Sequence, residues 1–170
     1  MKLRFSNGFT LVELMVTIAV AAILLAVASP SMVSLYEGNR ARSAIGNIET
    51  AFLQARSQAI SYGIQVTICP LVGTNCSTDW SGGYSIFIDA APINSLNTDD
   101  LLIITQSAIH SSDFIKSSAS SFTFNPDGML NDTNTGSMVY CPGDTNSANS
   151  RGISIGVSGR VSELTGSDCT

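Results

Sequence analysis

Phe9-Thr-Leu-Val-Glu13-Leu-Met-Val-Thr-Ile-Ala-Val-Ala-Ala-Ile-Leu-Leu-Ala-Val-Ala28 decides how the rest of the chain is read. Twenty residues in helical form span about 30 Å, the hydrocarbon thickness of a bilayer. Ahead of them, Met1–Gly8 carries Lys2 and Arg4 and no anion. That bias keeps the N-terminus cytoplasmic and sends the C-terminal remainder of the chain to the far side of the membrane. A secretory signal peptide is one reading, supported by Ala26-Val27-Ala28 at the end of the apolar run. Glu13 argues against it, because a lone carboxylate in an apolar core costs about 2–3 kcal/mol even on lenient insertion scales.

Geometry gives that carboxylate a purpose. Cleavage between Gly8 and Phe9 would create an amine four residues before Glu13, one helical turn away on the same face. A second subunit, offset by one turn, could present its electropositive N-terminus to the same carboxylate. Glu13 would then lack a partner in an isolated subunit and find one in a polymer. It becomes an assembly key.

Outside the apolar run the composition changes. Ser, Asn, Thr, Gly and Asp dominate, so the mean hydropathy of +0.26 owes much to one segment. A chain of 170 residues fits one domain with a real core. Formal charge is −5, and loss of Lys2 and Arg4 with a leader makes it −7. Such a balance does not recruit nucleic acid by bulk electrostatics.

Cys69, Cys76, Cys141 and Cys169 are an even set in an exported domain, which suggests two disulfides formed in an oxidising compartment. Three pairings are possible. The short 69–76 spacing suits a local staple, leaving Cys141 with Cys169 to tie down the C-terminus. A metal site is not supported, since there is no CxxC and His110 is the only histidine.

Past Pro30, an amphipathic pattern runs through Ala41, Ala44 or Ile45, Ile48, Phe52, Ala55 and Ala59 to a stop at Tyr62-Gly63. The expectation is one helix over 9–62, kinked at Pro30 and about 80 Å long. Short alternating segments come next, at 64–69, 84–89, 101–105, 121–125, 138–141 and 152–157. They read as strands of an antiparallel sheet that covers the helix's apolar stripe, with polar loops at 70–83, 90–100 and 142–151. The fold class is α+β, and the division expected is a leader 1–8, a helix 9–62 that spans the membrane over 9–28, and a head 63–170.

Gly8-Phe9-Thr10-Leu11-Val12-Glu13 after a short basic leader resembles the class III prepilin signal of type IV pilins and type II secretion pseudopilins. In the head, several segments add to this: Ala55-Arg56, Ile68-Cys69-Pro70, Trp80 with Gly83-Tyr84, Phe87-Ile88-Asp89, Phe124–Gly128, Arg151-Gly152 and Ser158-Gly159-Arg160-Val161. Together they resemble the GspH/FimT family of minor pilins and pseudopilins over nearly the whole chain. The resemblance implies cleavage between Gly8 and Phe9 by a prepilin peptidase, methylation of Phe9, and assembly through Glu13. It also implies a type IV pilin-like helix plus β-sandwich head. The partners implied are other major and minor pilins and the inner membrane, with low abundance at or near a filament tip on the cell surface.

Chemical sites are few. Gly152-Ile-Ser154-Ile-Gly156 matches the nucleophile-elbow pattern, but Ile153, Ile155 and Val157 alternate straight through it and His110 precedes the serine. Ser154 reads as a strand serine. Asp132 and Asn134 lack the terminal glutamate of a Ca²⁺ loop. Trp80 reads as a packing anchor. With no phosphate-binding loop, assembly energy must come from another protein. No cofactor is expected, and the chain reads as a structural subunit rather than an enzyme.

DNA capture is the sharpest competing function. Some FimT-like minor pilins use a C-terminal Gly-Arg-x-Arg element, which here reads Gly159-Arg160-Val161-Ser162, with Glu163 next and Asp168 near. Arg160, Arg151 and Lys116 are the candidate contacts. A few scattered cations on an acidic domain bind phosphate weakly at physiological salt. The expectation is therefore a type IV minor pilin that helps initiate assembly, with a secretion pseudopilin and a DNA receptor as alternatives.

Overall fold

The computed structural model describes residues 8–131, 135–144, 146–164 and 169, without the side chains of residues 29 and 30. Lys2, Arg4, Asp132, Asn134 and Asp168 lie outside the described residues, as does any kink set by the Pro30 ring. The chain falls into two units that divide between Tyr36 and Glu37. The helix α1 (Leu11–Tyr62) contributes to both.

In the first unit α1 is apolar on every side and exposed, with Leu11, Val16, Ile23 and Leu25 all more than half accessible. It is long and apolar enough to cross a membrane. A helix apolar all round demands an apolar surrounding, lipid or other helices.

In the second unit α1 is amphipathic. Ala41, Ile45, Ile48, Phe52, Ala55 and Ala59 are buried at spacings of three and four, so one stripe faces inward. The helix ends where Gly63 takes φ +67° and its amide bonds the Ala59 carbonyl at 3.0 Å, a left-handed cap that favours glycine.

Two four-stranded antiparallel sheets share that stripe. The first has the order β5-β4-β1-β7, from β1 (Val66–Cys69), β4 (Gly83–Ile88), β5 (Leu101–Ser107) and β7 (Phe122–Phe124). The second has the order β10-β9-β8-β6, from β6 (Phe114–Ser117), β8 (Gly136–Cys141), β9 (Arg151–Ile155) and β10 (Val161–Leu164). Val66, Ile68, Ile86 and Phe124 from one sheet meet Met138, Tyr140, Ile153 and Ile155 from the other in a single core with the helix. A small hairpin of β2 (Leu71–Val72) and β3 (Asn75–Cys76) follows β1. A 3-10 turn at Trp80–Gly82 completes the unit.

The alternating segments at 64–69, 84–89, 101–105, 121–125, 138–141 and 152–157 hold β1, β4, β5, β7, β8 and β9, with bounds shifted by one or two residues. Four further strands escape the sequence pattern. β2 and β3 have two residues each, and β6 and β10 carry charged residues in short runs, so none presents an apolar alternation long enough to register. Their pairing is supplied by neighbours rather than by their own pattern.

The head is stapled twice, by Cys69–Cys76 with Cα atoms 5.6 Å apart and by Cys141–Cys169 with Cα atoms 6.1 Å apart. Trp80 is fully buried and donates its indole N–H to the Ala119 carbonyl at 2.9 Å, with its ring against Tyr84 and Phe122. On the first sheet's other face lies a buried polar group. Thr67 donates to Asp89 and shares a 2.6 Å bond with Thr123, while the Asn94 amide donates to Asp89 at 2.9 Å. Burial pushes the Asp89 carboxyl above its ordinary range.

Candidate functional site

The N-terminal site begins with accessibility. Gly8 is exposed and Phe9 is 83% exposed, so the bond between them is open to an enzyme. One residue later the helix is capped. The Glu13 carboxylate accepts from the Thr10 amide at 3.3 Å and from the Thr10 hydroxyl at 3.2 Å. In return, the Thr10 hydroxyl accepts from the Glu13 amide at 3.2 Å. This is a capping box, Thr10-x-x-Glu13, which satisfies orphan donors at a helix start reciprocally.

That geometry corrects the expectation that Glu13 lacks a partner in an isolated subunit. Thr10 occupies it from within. The carboxylate is held at the electropositive end of α1, where a negative charge is favoured. The Thr-x-x-Glu pattern is present in the sequence and carries this signal by itself.

In the head, three segments separated in sequence converge. Arg56 on α1 donates from Nε to the Gly128 carbonyl at 3.0 Å. Gly128 closes the Asn125–Gly128 turn through its amide to the Asn125 carbonyl at 2.8 Å. The Gly156–Gly159 turn, closed at 2.8 Å between β9 and β10, packs on both. A Cβ on Gly159 would lie 2.2 Å from the Gly128 oxygen and 2.9 Å from Arg56 Nε. Ala55-Arg56, Asn125–Gly128 and Ser158-Gly159-Arg160 therefore form one structural joint.

A second joint has no signature in the sequence. Arg40 on α1 pairs with Asp113 through Nε and a terminal nitrogen, each 2.6 Å from a different carboxylate oxygen. Asp113 also accepts from Tyr140, from Ser112 at 2.9 Å and from the Gly143 amide at 3.0 Å. Burial alone would raise the Asp113 carboxyl, but the Tyr140 and Ser112 hydroxyls, Arg40 and the Gly143 amide together hold it below its ordinary value. Arg40, Tyr140 and Gly143 are 73, 27 and 30 positions away, which no local pattern could reveal.

The candidate DNA contacts are not brought together. Arg160 is exposed in the turn between β9 and β10, whereas Arg151 starts β9 at its other end. Arg151 shares a row with Tyr140 and Ile115, and Lys116 shares the next row with Val139 and Gly152. Adjacent rows point to opposite sheet faces. Ser154 lies within β9 and shares a 3.0 Å bond with Ser162, while the His110 ring bonds Ser112 at 2.8 Å.

An exposed apolar helix with a capped, accessible start, joined in sequence to a helix-and-two-sheet head, defines the type IV pilin-like class. Residues 44–159 match the family model described as "Type II transport protein GspH", and residues 3–29 match the "Prokaryotic N-terminal methylation motif". The chain belongs to the GspH family. The fold is that of the type IV minor pilin FimU of Pseudomonas aeruginosa, with TM-score 0.64 and 21% identity over 78% of this chain and 96% of that one. It also matches the minor pseudopilin EpsH of the type II secretion system of Vibrio cholerae, with TM-score 0.53 and 9% identity over 74% and 97% of the two chains. Among curated proteins none matches the chain by sequence.

Proposed function

We propose that this chain is a structural minor pilin of a type IV pilus, cleaved between Gly8 and Phe9, methylated on Phe9, and drawn into the filament through Glu13. The observation that carries the reading is the Thr10–Glu13 capping box at the accessible start of a helix too apolar to stay in water. In the membrane the box shields the carboxylate. In the filament a neighbour's methylated amine replaces Thr10, so the exchange is a handover rather than a rescue of a bare charge. The head then stands on the periplasmic side before assembly, at or near the tip afterwards.

A pseudopilin of a type II secretion system is the second reading, supported by the family description and the likeness to EpsH. Mass spectrometry of the mature chain tests what the two share. Methyl-Phe9 is the expected terminus, and a start at Ser29 would overturn both. Glu13→Ala should be cleaved and membrane-inserted yet absent from filaments, whereas Thr10→Ala should still enter them with altered efficiency. Normal incorporation of Glu13→Ala would sink the handover. Deleting the gene separates the readings: loss of surface pili supports the first, loss of protein export with pili intact the second.

A further inference from the structure

Among the described residues, the four edges of the two four-stranded sheets are not equally protected. A free edge offers unpaired N–H and C=O groups to any passing strand, and proteins blunt such edges by shortness, charge, proline or a bulge. β7 is three residues long and buried. β10 carries the exposed Glu163, and β6 carries the exposed Lys116. β5 differs. With seven residues it is the longest described strand, it holds no charge and no proline, and among the described residues it pairs only with β4. A bulge between Ile86 and Phe87 displaces Ile103, but Ile104–Ser107 then run in regular register with Ile86–Gly83.

Side chains make this edge receptive. Leu101 is 57% and Leu102 46% exposed. Beside the strand lies a shallow groove of about 280 Å³, lined by Leu71, Tyr84, Leu102, Thr105 and Gln106 among others. Strand addition uses main-chain bonds for affinity and such grooves for alternate side chains. Charge then selects the occupant. Between Arg56 and Lys116 there is no Lys or Arg, while Asp79, Asp89, Asp99, Asp100 and Asp113 fall in that span. Arg40 neutralises Asp113, and Asp99 is exposed two residues before the start of β5.

We propose that β5 receives an extended strand from a different pilin subunit, with apolar residues at alternate positions and a Lys or Arg opposite Asp99. A second copy of this chain is a poor occupant, because its own β5, paired in either direction, brings no Lys or Arg to face Asp99. The proposal rests on the pilin reading above and goes beyond it by naming the surface and its partner's chemistry.

The test uses the full chain in piliated cells, with a benzophenone photocrosslinker in place of Ser107, and first measures the chain in sheared filaments. The expected product links residue 107 to a basic-flanked, extended segment of another pilin, identified by peptide mass spectrometry. Thr105→Lys and, separately, Gln106→Lys should each lower that product about ten-fold, with membrane levels and both disulfides unchanged. An adduct with a second copy, an adduct with a helical segment, no adduct from filament-borne chain, or an unchanged yield in both lysine variants would each overturn the proposal. Absence of the chain from filaments would instead overturn the pilin reading, and this one with it.

Discussion

Asp113 shows what a single buried carboxylate does when it is fully partnered. Two oxygens accept from Arg40, Tyr140, Ser112 and Gly143, tying α1 to β8 and to the loop after it. Because its folded-state pKa is lowered, its contribution is fully present above the unfolded value of about 3.9 and is lost as pH falls through the folded value. Asp89 has the opposite sign. Its raised pKa makes the folded chain bind a proton more tightly, so that contribution is present at low pH and lost as pH rises above the ordinary carboxylate range. Asp113→Asn should therefore unfold more easily at neutral pH by about 3 kcal/mol, since it removes the buried charge that Arg40, Tyr140, Ser112 and the Gly143 amide share. It should also lose less stability than the parent on acidification below about pH 4. Thermal unfolding of the detergent-solubilised chain across pH checks both, and parallel acid profiles for the two proteins would refute the assignment.

Among the elements, the turn between β9 and β10 illustrates a position that only close approach explains. Gly159 has φ +73° and sits under Arg56 and the Gly128 carbonyl, where a side chain has neither conformation nor room. Gly159→Ala should cost about 2 kcal/mol or more in urea unfolding. Gly46 is the comparison. It lies within α1 with nothing inside 4 Å of an added Cβ, so Gly46→Ala should stabilise by about 0.5–1 kcal/mol. Equal effects at the two sites would mean that the joint is not what glycine serves. The periodicity of α1 is legible in the sequence because burial on one stripe repeats every three or four residues. The strands β6 and β10 are not legible, since each is a short mixed run whose conformation is imposed by β8 and β9.

For the whole molecule, charge and its arrangement bear on DNA. The net charge of −5 opposes phosphate, and Arg160, Arg151 and Lys116 are split between two faces and two ends of the second sheet. Fluorescence anisotropy with the full chain at physiological salt should give a Kd weaker than about 100 μM, insensitive to Arg160→Ala. Micromolar affinity lost in that variant would restore the receptor reading. The same acidic balance, concentrated where the first sheet has no cation, is what gives β5 its selectivity.

The sequence by itself determined the membrane-length helix, the α+β class, the family resemblance and the expected processing site, because these are written in contiguous residues. Thr10-x-x-Glu13 is equally readable, and its reciprocal bonds replace the idea of an unpartnered Glu13. Only the tertiary structure decided that Arg40 meets Asp113, that Arg56, Gly128 and Gly159 make one joint, and that β5, the longest described strand, lies at a sheet edge. The physical reason is common to all three. Local propensity is set by neighbours a few residues away, whereas pairing, burial and exposure of an edge are set by which distant strands the hydrophobic core brings together.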